Sequence, residues 1–389
     1  MGLVGIMIAS LDGVSWGQGA LGVQTEKARL LANGRPVCDL SMVNPDIPPP
    51  RFLIDKLCEA SLKGVNHRYA VSRGVRKLRE ALTERYDDVF DVSLSPETDV
   101  CVTLGSKDAL TQIALGLLKP GDEILVGEPT YAAFRFVAEY AGLIVRSFPI
   151  SYDEEEMTAH ITAAMDAYAV RAVFLNFPNN PTGQAVSEQF YRNVLGRARQ
   201  SGVLVVNDFV YGEMMHSGNP AVSMLRVAKK DDAVLETYSL SKAFSVPGWR
   251  VGAVLGSNRL VHQIAVAKSR VDYGLFLPIQ IAAAAALSSQ EPFVRQITTQ
   301  YQSRAEVLAR VLRGAGWNVA SPDAGACLWA RIPEDWRENG SDAVVQRLVA
   351  RGLVTTGESF FGQRRDGFIR FALVASEDRL LQLGEMLRL

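Results

Sequence analysis

A chain of 389 residues, 48% of them hydrophobic, can bury a large core and divide into more than one domain. Its 41 Lys plus Arg against 42 Asp plus Glu leave a net charge of −1, which gives neither the basic excess of a nucleic-acid binder nor an acidic tail. Cys38, Cys58, Cys101 and Cys327 lie far apart with no C-x-x-C pair, and His67, His160, His216 and His262 lack metal-ligand spacing. Reduced thiols in a cytoplasmic protein without a metal centre are therefore expected.

In chain order, residues 3–9 are apolar but have no basic leader, so they are not read as a signal peptide. Between residue 100 and about 255, short apolar strands (100–103, 123–126, 172–175, 203–206) alternate with helical stretches, the first over 109–118. That alternation predicts an α/β fold with a mostly parallel sheet covered by helices. The apolar run 281–287 is far shorter than the ~18 residues that cross a bilayer, and no membrane partner is expected. After about Pro292 a long charged helix (293–315), short strands and a final helix (377–389) predict a second, smaller α+β domain. No repeat or low-complexity tract is visible.

Several segments carry candidate chemistry. Asn176-Phe177-Pro178-Asn179-Asn180-Pro181-Thr182-Gly183 follows a buried strand and forms a rigid turn with side-chain amides free for a ligand, though alone it is only a strand-ending turn. Val203-Leu204-Val205-Val206-Asn207-Asp208 delivers an acid to the C-terminal end of a strand, where open α/β sheets bind ligands. A buried Asp208 calls for a cationic partner; an exposed one would be a helix N-cap.

In Ser239-Leu240-Ser241-Lys242-Ala243-Phe244-Ser245-Val246-Pro247-Gly248-Trp249-Arg250, a lysine sits beside hydroxyl residues with an arginine eight positions later. A lysine that attacks a carbonyl needs a desolvated, cation-rich setting, because its ordinary pKa of about 10.4 keeps it protonated. Hydroxyls and an arginine suit a dianionic phosphate. Taken alone, the segment also fits a helix start with surface charges. Gly105-Ser106-Lys107 turns a strand into a helix and so offers N–H groups to an anion. Arg370, in Phe368-Ile369-Arg370-Phe371-Ala372, places a guanidinium in an apolar strand, as a bidentate carboxylate site would.

Together, Asn179-Asn180-Pro181-Thr182-Gly183, Asp208-x-x-Tyr211 and Ser239-x-Ser241-Lys242 with Arg250 resemble the fold type I pyridoxal-phosphate-dependent aminotransferases of class I/II. More narrowly they resemble the bacterial alanine and diaminopimelate aminotransferase subgroup. The likeness runs from about Cys38 to the C-terminus.

The resemblance implies an aspartate-aminotransferase-like fold. Residues 1–50 would join a small domain formed by 291–389, and 51–290 would form the large cofactor-binding domain. It implies pyridoxal 5'-phosphate as cofactor, an L-amino acid and a 2-oxo acid as substrates, and a homodimer with shared sites. Lys242 would be the Schiff-base lysine and proton shuttle. Asp208 would face the pyridine nitrogen, Tyr211 and Asn180 the phenolic oxygen, and Tyr131 would stack on the ring. Gly105, Ser106, Lys107, Ser239, Ser241 and Arg250 would hold the phosphate, helped by Tyr69 from the neighbouring subunit. Arg370, with Asn180, would bind the substrate carboxylate.

Three departures fall on the family's substrate side. Val43 stands where glycine is usual, Gly357-Glu358 replaces a Pro-Gly ahead of a Phe-Gly pair, and Arg270 replaces a tyrosine. If Val43, Arg270 and Glu358 reshape that side, small standard amino acids are expected to be poor donors. The chain could then be a pyridoxal-phosphate enzyme of elimination, replacement or cyclisation in specialised biosynthesis. Other classes fit worse. Ser239-x-x-Lys242 has no downstream Ser-Asp-Asn or Lys-Thr-Gly for a penicillin-binding hydrolase. No Gly-x-Gly-x-x-Gly follows an early strand, as a Rossmann dehydrogenase requires.

Overall fold

The computed structural model describes residues 16–363 and 367–388, so the segment 3–9 discussed above lies outside them. Strand β1 (Cys38–Asp39) comes first among the strands. It is followed by β2 (Val100–Thr103), β3 (Glu123–Glu128), β4 (Ile144–Pro149), β5 (Val170–Leu175), β6 (Leu204–Asp208), β7 (Val234–Ser239) and β8 (Gly252–Gly256).

The last seven of these form one sheet in the order β2-β8-β7-β6-β5-β3-β4. Strands β4, β3, β5, β6 and β7 pair in parallel, while β8 runs antiparallel to both β7 and β2. Every residue of β2, β6, β7 and β8 is buried, as expected of a sheet with helices on both faces. The parallel crossovers need helices, and their ends are specified locally. Asp153 caps Glu154–Ala167 by accepting from the N–H groups of Glu155 and Glu156, and Ser187 caps Glu188–Ser201 by accepting from Phe190. Because β3, β5, β6 and β7 all point the same way, Glu128, Leu175, Asp208 and Ser239 end on one edge.

The strand assignments made from sequence hold to within two residues, whereas β4, β7 and β8 were not foreseen. β4 is a half-exposed edge strand with a weak apolar signal. β7 carries Glu236 in its middle, which breaks the apolar run. That carboxylate is fully buried and accepts from Ser223 Oγ and Met224 N, both at 2.7 Å, and from Tyr86 OH at 3.3 Å. With three donors its burial is tolerated, although desolvation still pushes its pKa up to about 7.

Beyond helix Phe293–Gly314, β9 (Asn318–Val319), β10 (Cys327–Arg331), β11 (Leu353–Val354), β12 (Thr356–Gly357) and β13 (Phe368–Ala372) follow. Four of them form an antiparallel sheet, β12-β13-β10-β9, and β11 pairs in parallel with β1. The expected final helix is two short ones, Glu377–Leu381 and Gly384–Leu387, because the chain turns at Gln382-Leu383 ahead of a helix-weakening glycine. Leu380, Leu383 and Leu387 nevertheless all stay fully buried.

A bidentate ion pair fastens residues 40–50 to this unit. Arg304, on the long helix, donates to Asp46 Oδ1 and Oδ2 at 2.6 and 2.9 Å and to the Leu373 carbonyl at 2.8 Å. Removing the acid leaves a buried guanidinium with one partner. Asp46→Ala is therefore predicted to cost about 1–3 kcal/mol of stability, read as a lower denaturation midpoint. An unchanged midpoint would remove the pair from the account of how this segment is held.

Candidate active site

A cavity of about 830 Å³ opens at the C-terminal edge of the seven-stranded sheet and extends to the wall made by β12, β13 and helix Gly340–Ala350. Its anionic subsite is built where β2 turns into helix Ser106–Leu117. Gly105 has φ +84 and lies under the Arg250 guanidinium, which a Cβ would strike; a Cβ on Gly252 would come within 2.7 Å of the Gly105 backbone. Glycine is thus required at both positions for close approach.

Arg250 Nη1 donates to the Pro247 carbonyl at 2.9 Å and Nη2 to the Leu104 carbonyl at 3.3 Å, so among the described residues it has no carboxylate partner. The Ser239 and Ser241 hydroxyls lie 3.0 Å apart beside it. Ser106, Lys107, Ser239, Ser241 and Arg250 all line the cavity. Free N–H groups at a helix start, hydroxyls and an unpaired guanidinium make a site for a dianion.

Asp208 ends β6 and lines the cavity while almost wholly buried. Its Oδ1 accepts from Thr237 Oγ1 at 2.6 Å, its register partner on β7. Burial pushes its pKa up to about 6, against the pull of that hydrogen bond. No lysine or arginine pairs with it among the described residues, so the site offers an acid to an incoming cation.

Lys242 sits in the short helix Leu240–Ala243, and its Nζ donates to the Val43 carbonyl. Burial, followed by the charges of Arg370 and Arg250, lowers its pKa to about 8. Tyr211 is buried, and burial holds its phenol well above the ordinary value. Tyr131 lines the cavity with Lys107 Nζ 5.9 Å from its ring centroid.

Arg370, on β13, is buried with no acid beside it. Nη1 donates to Asn180 Oδ1 at 3.1 Å, Nη2 donates to the Ser41 carbonyl and to Thr356 Oγ1, and Nε has no partner. Its guanidinium carbon lies 4.8 Å from the centroid of the Phe361 ring.

The structure thus brings Ser106, Lys107, Tyr131, Asn180, Asp208, Tyr211, Ser239, Ser241, Lys242, Arg250, Arg370 and Val43 to one cavity, with Gly105 beneath it. Three other candidates lie apart in this chain. Tyr69 is 86% exposed and packs on Tyr273, with ring centroids 4.7 Å apart. Arg270 is exposed at the C-terminal end of helix Asn258–Ser269. Glu358 is buried, and its Oε2 accepts from Gly367 N at 2.7 Å and Phe368 N at 3.0 Å. The expectation that Arg270 and Glu358 add charge to the cavity is not met within this chain. One side chain points to solvent, and the other closes a loop by taking two amide donors.

Sequence reasoning missed Thr237, Thr356, Ser41 and Asn207, and it read the Asn176 amide as free for a ligand, whereas the fold uses it internally. Asn176 Nδ2 donates to the Asp208 carbonyl at 3.0 Å, and its Oδ1 accepts from Asn180 N at 3.0 Å. Asn207 bridges both polar groups of the Phe177 backbone. An asparagine at the end of each of two adjacent apolar strands was the available signal.

Residues 35–383 match the family described as Aminotransferase class I and II. The chain is 37% identical over 351 residues to the glutamate-pyruvate aminotransferase AlaC of Escherichia coli K12, covering 90% of this chain and 85% of that protein. It is 31% identical to the LL-diaminopimelate aminotransferase of Oleidesulfovibrio alaskensis, covering 91% of each. Among solved structures it is similar to a probable N-succinyldiaminopimelate aminotransferase of Thermus thermophilus, with a TM-score of 0.87, 27% identity and coverage of 95% and 99%. By match, identity and fold, the chain belongs to the class I and II aminotransferases, enzymes that use pyridoxal 5'-phosphate.

Proposed function

We propose that this site moves an amino group between an L-amino acid and a 2-oxo acid, with Lys242, Asp208 and Arg370 at its centre. The observation that carries this reading is one cavity holding a lysine of lowered pKa, an acid without a cation and two arginines without an acid. These residues fit pyridoxal phosphate. The Gly105–Arg250 cradle with Ser106, Lys107, Ser239 and Ser241 would hold its phosphate, and Asp208 its ring nitrogen. Asn180 and Tyr211 would meet its phenolic oxygen, and Tyr131 its ring face. Bound there, the cofactor supplies an electron sink for the substrate α-carbon.

The protein's own part is positional and protonic. Arg370, already oriented by Asn180, Ser41 and Thr356, takes the substrate carboxylate as a bidentate fork. Lys242 in its neutral form takes the proton from the α-carbon and can return it elsewhere. Asp208 as carboxylate would hold the cofactor's ring nitrogen in its protonated form when the cofactor is bound. Every relative described above is named an aminotransferase, and no residue of the site favours elimination or cyclisation.

We further read the described parts of the segments 1–50 and 291–389 as a small domain beside 51–290, since β1 pairs with β11 and Arg304 binds Asp46. A homodimer is proposed from the cluster Val65, Tyr69, Val71, Val271 and Tyr273, all strongly exposed; Tyr69 would then reach a partner's phosphate site. Sedimentation as a monomer at micromolar concentration would sink that part. We assign the enzyme to the cytoplasm from its spread of unpaired cysteines.

The direct test is half-reaction spectroscopy: an amino donor should convert visible absorbance to that of the pyridoxamine form, and no conversion with any amino acid would overturn the reading. Borohydride reduction is predicted to fix the cofactor to Lys242, and a label on another lysine would refute that role. With a pKa of about 8, the neutral amine fraction of the cofactor-free protein rises roughly tenfold from pH 7 to 9. Capture of added pyridoxal phosphate should rise equally, whereas an unperturbed lysine would show about a hundredfold rise.

Asp208→Asn is predicted to slow α-proton exchange at least about a hundredfold with the fold intact, because a neutral amide cannot hold the ring-nitrogen proton. Arg370→Lys should raise KM for carboxylate substrates about tenfold or more, as a point charge replaces a fork. Unchanged values would remove either residue from its role.

A further inference from the structure

We propose that Asp39 is a positioning residue for the substrate carboxylate, acting through Ser41 on the fork of Arg370. The inference rests on the aminotransferase reading and deepens it. Asp39 ends β1, and its two carboxylate oxygens are used separately. Oδ1 accepts from Ser41 N at 2.9 Å and from Ser41 Oγ at 2.6 Å, while Oδ2 accepts from Lys27 Nζ at 2.6 Å. An aspartate that bonds the backbone two residues on fixes a turn locally.

That turn lies where strand pairing runs out. Leu40 is still held on both sides, its N–H donating to the Val354 carbonyl and its carbonyl accepting from Ala372 N, each at 2.8 Å. At Ser41 the N–H and the hydroxyl both go to Asp39 Oδ1, so its carbonyl is aimed from the Asp39 side. That carbonyl accepts from Arg370 Nη2 and, at 2.7 Å, from Thr356 Oγ1. Two residues further on, the Val43 carbonyl accepts from Lys242 Nζ. The cation that takes the carboxylate and the amine that moves the proton both rest on the stretch that Asp39 begins.

The acid reaches Arg370 only at one remove. Its charge is matched by Lys27, and Arg370 donates to Asn180, Ser41 and Thr356, none of them an acid. Burial pushes the Asp39 pKa up, but the hydrogen bonds from Lys27 and Ser41 outweigh it and hold the carboxyl below its ordinary value. Asp39 therefore stays ionised without neutralising the fork. An acid in direct contact with Arg370 would take the place of the substrate. Two residues away, it transmits geometry instead.

The Lys27 end of the clip adds helix Trp16–Ala32 to the same arrangement. Val23 and Gln24, at i−4 and i−3 from Lys27 and so on its side of the helix, line the cavity together with Ser41 and Val43. One carboxylate thus joins the helix that borders the cavity to the turn whose carbonyl orients Arg370.

The test is a half-reaction titration of the pyridoxal-phosphate-loaded protein with whichever standard L-amino acid converts the wild type fastest. Binding of the amine that lacks only its carboxylate is followed beside it. In Asp39→Ala the half-saturating concentration of the amino acid is expected to rise about three- to tenfold, the range for a lost hydrogen bond, with the maximal rate changed less than about twofold. Binding of the amine should not change, because it offers Arg370 no carboxylate. Asp39→Asn should recover most of the loss, since its amide oxygen still accepts from both Ser41 donors while Lys27 turns to solvent. Adding Asp39→Ala to Arg370→Lys should cost less than adding it to the wild type, as expected of residues acting in series.

Ser41→Ala, which keeps the carbonyl and removes one donor, should move in the same direction as Asp39→Ala and carries the test if that variant fails to fold. Equal weakening of amino acid and amine overturns the role of Asp39 and leaves the aminotransferase reading standing. So does an unchanged half-saturating concentration in the alanine variants, or an asparagine variant as weak as alanine. Absence of conversion with every amino acid overturns both.

Discussion

The arrangement around Arg370 is the constraint on which the rest of the site depends. A guanidinium buried without an anion is costly, and burial alone pulls its pKa down. It is held by groups from three distant parts of the chain: Asn180 after β5, Ser41 after β1 and Thr356 on β12. Each satisfies part of the fork without neutralising its charge. Carbonyl and amide oxygens can orient a cation and still leave it hungry for a carboxylate; an Asp or Glu in the same place would have filled the site permanently. The pairing of β1 with β11 and of β12 with β13 can be read as the means of bringing those oxygens to one point.

The same desolvation acts in opposite directions on the two groups between the sheet edge and Arg370. It raises Asp208 to about 6 and lowers Lys242 to about 8, each towards its neutral form. Near neutral pH the acid is still mainly ionised and the lysine has an accessible neutral fraction. Thr237 contributes by a hydrogen bond that favours the charged form of Asp208. A stronger partner such as an arginine would hold Asp208 low but cancel the charge that a ring nitrogen needs. A single hydroxyl is thus a compromise between ionising the acid and leaving it available.

Sequence reading was strongest where chemistry forces residue type and spacing together. Asp208 and Arg370 were legible because each places a charge at the end of, or inside, an apolar run, and Lys242 and Arg250 because hydroxyl residues flank the lysine and the arginine follows eight positions later. Residues acting through one hydrogen bond, such as Thr237, Thr356 and Ser41, left no such mark, since a threonine or serine in a strand is unremarked. β7 was hidden by Glu236, whose burial depends on Ser223 and Tyr86, 13 and 150 residues away. Arg270 and Glu358 show the converse: each was read as facing the site from its place in the sequence, and within this chain neither lines the cavity. Arg270 is exposed in this chain beside Val271 and Tyr273, the face proposed to meet a partner, and Glu358 fastens residues 367 and 368. Position in sequence gave the segment; only the fold gave the direction of the side chain.

The division of labour between the two sheets lets one side of the site change without the other. The groups suited to the cofactor are set by the ends of β2, β6 and β7 and by the turns after them, inside a sheet where every neighbouring residue is buried. A substitution there must repack a close-packed interior and is felt by a methylene. On the opposite wall Gly357, Ser359 and Asp342 line the cavity, and the one side-chain hydrogen bond among them runs from Ser359 to Asp342. Glu358, where the family usually has glycine, closes a loop there by accepting from the Gly367 and Phe368 amides, and no strand of the large sheet is disturbed. Donor choice can therefore drift by small steps on this wall while the machinery for proton transfer stays fixed, because the two are coupled only through the fork of Arg370.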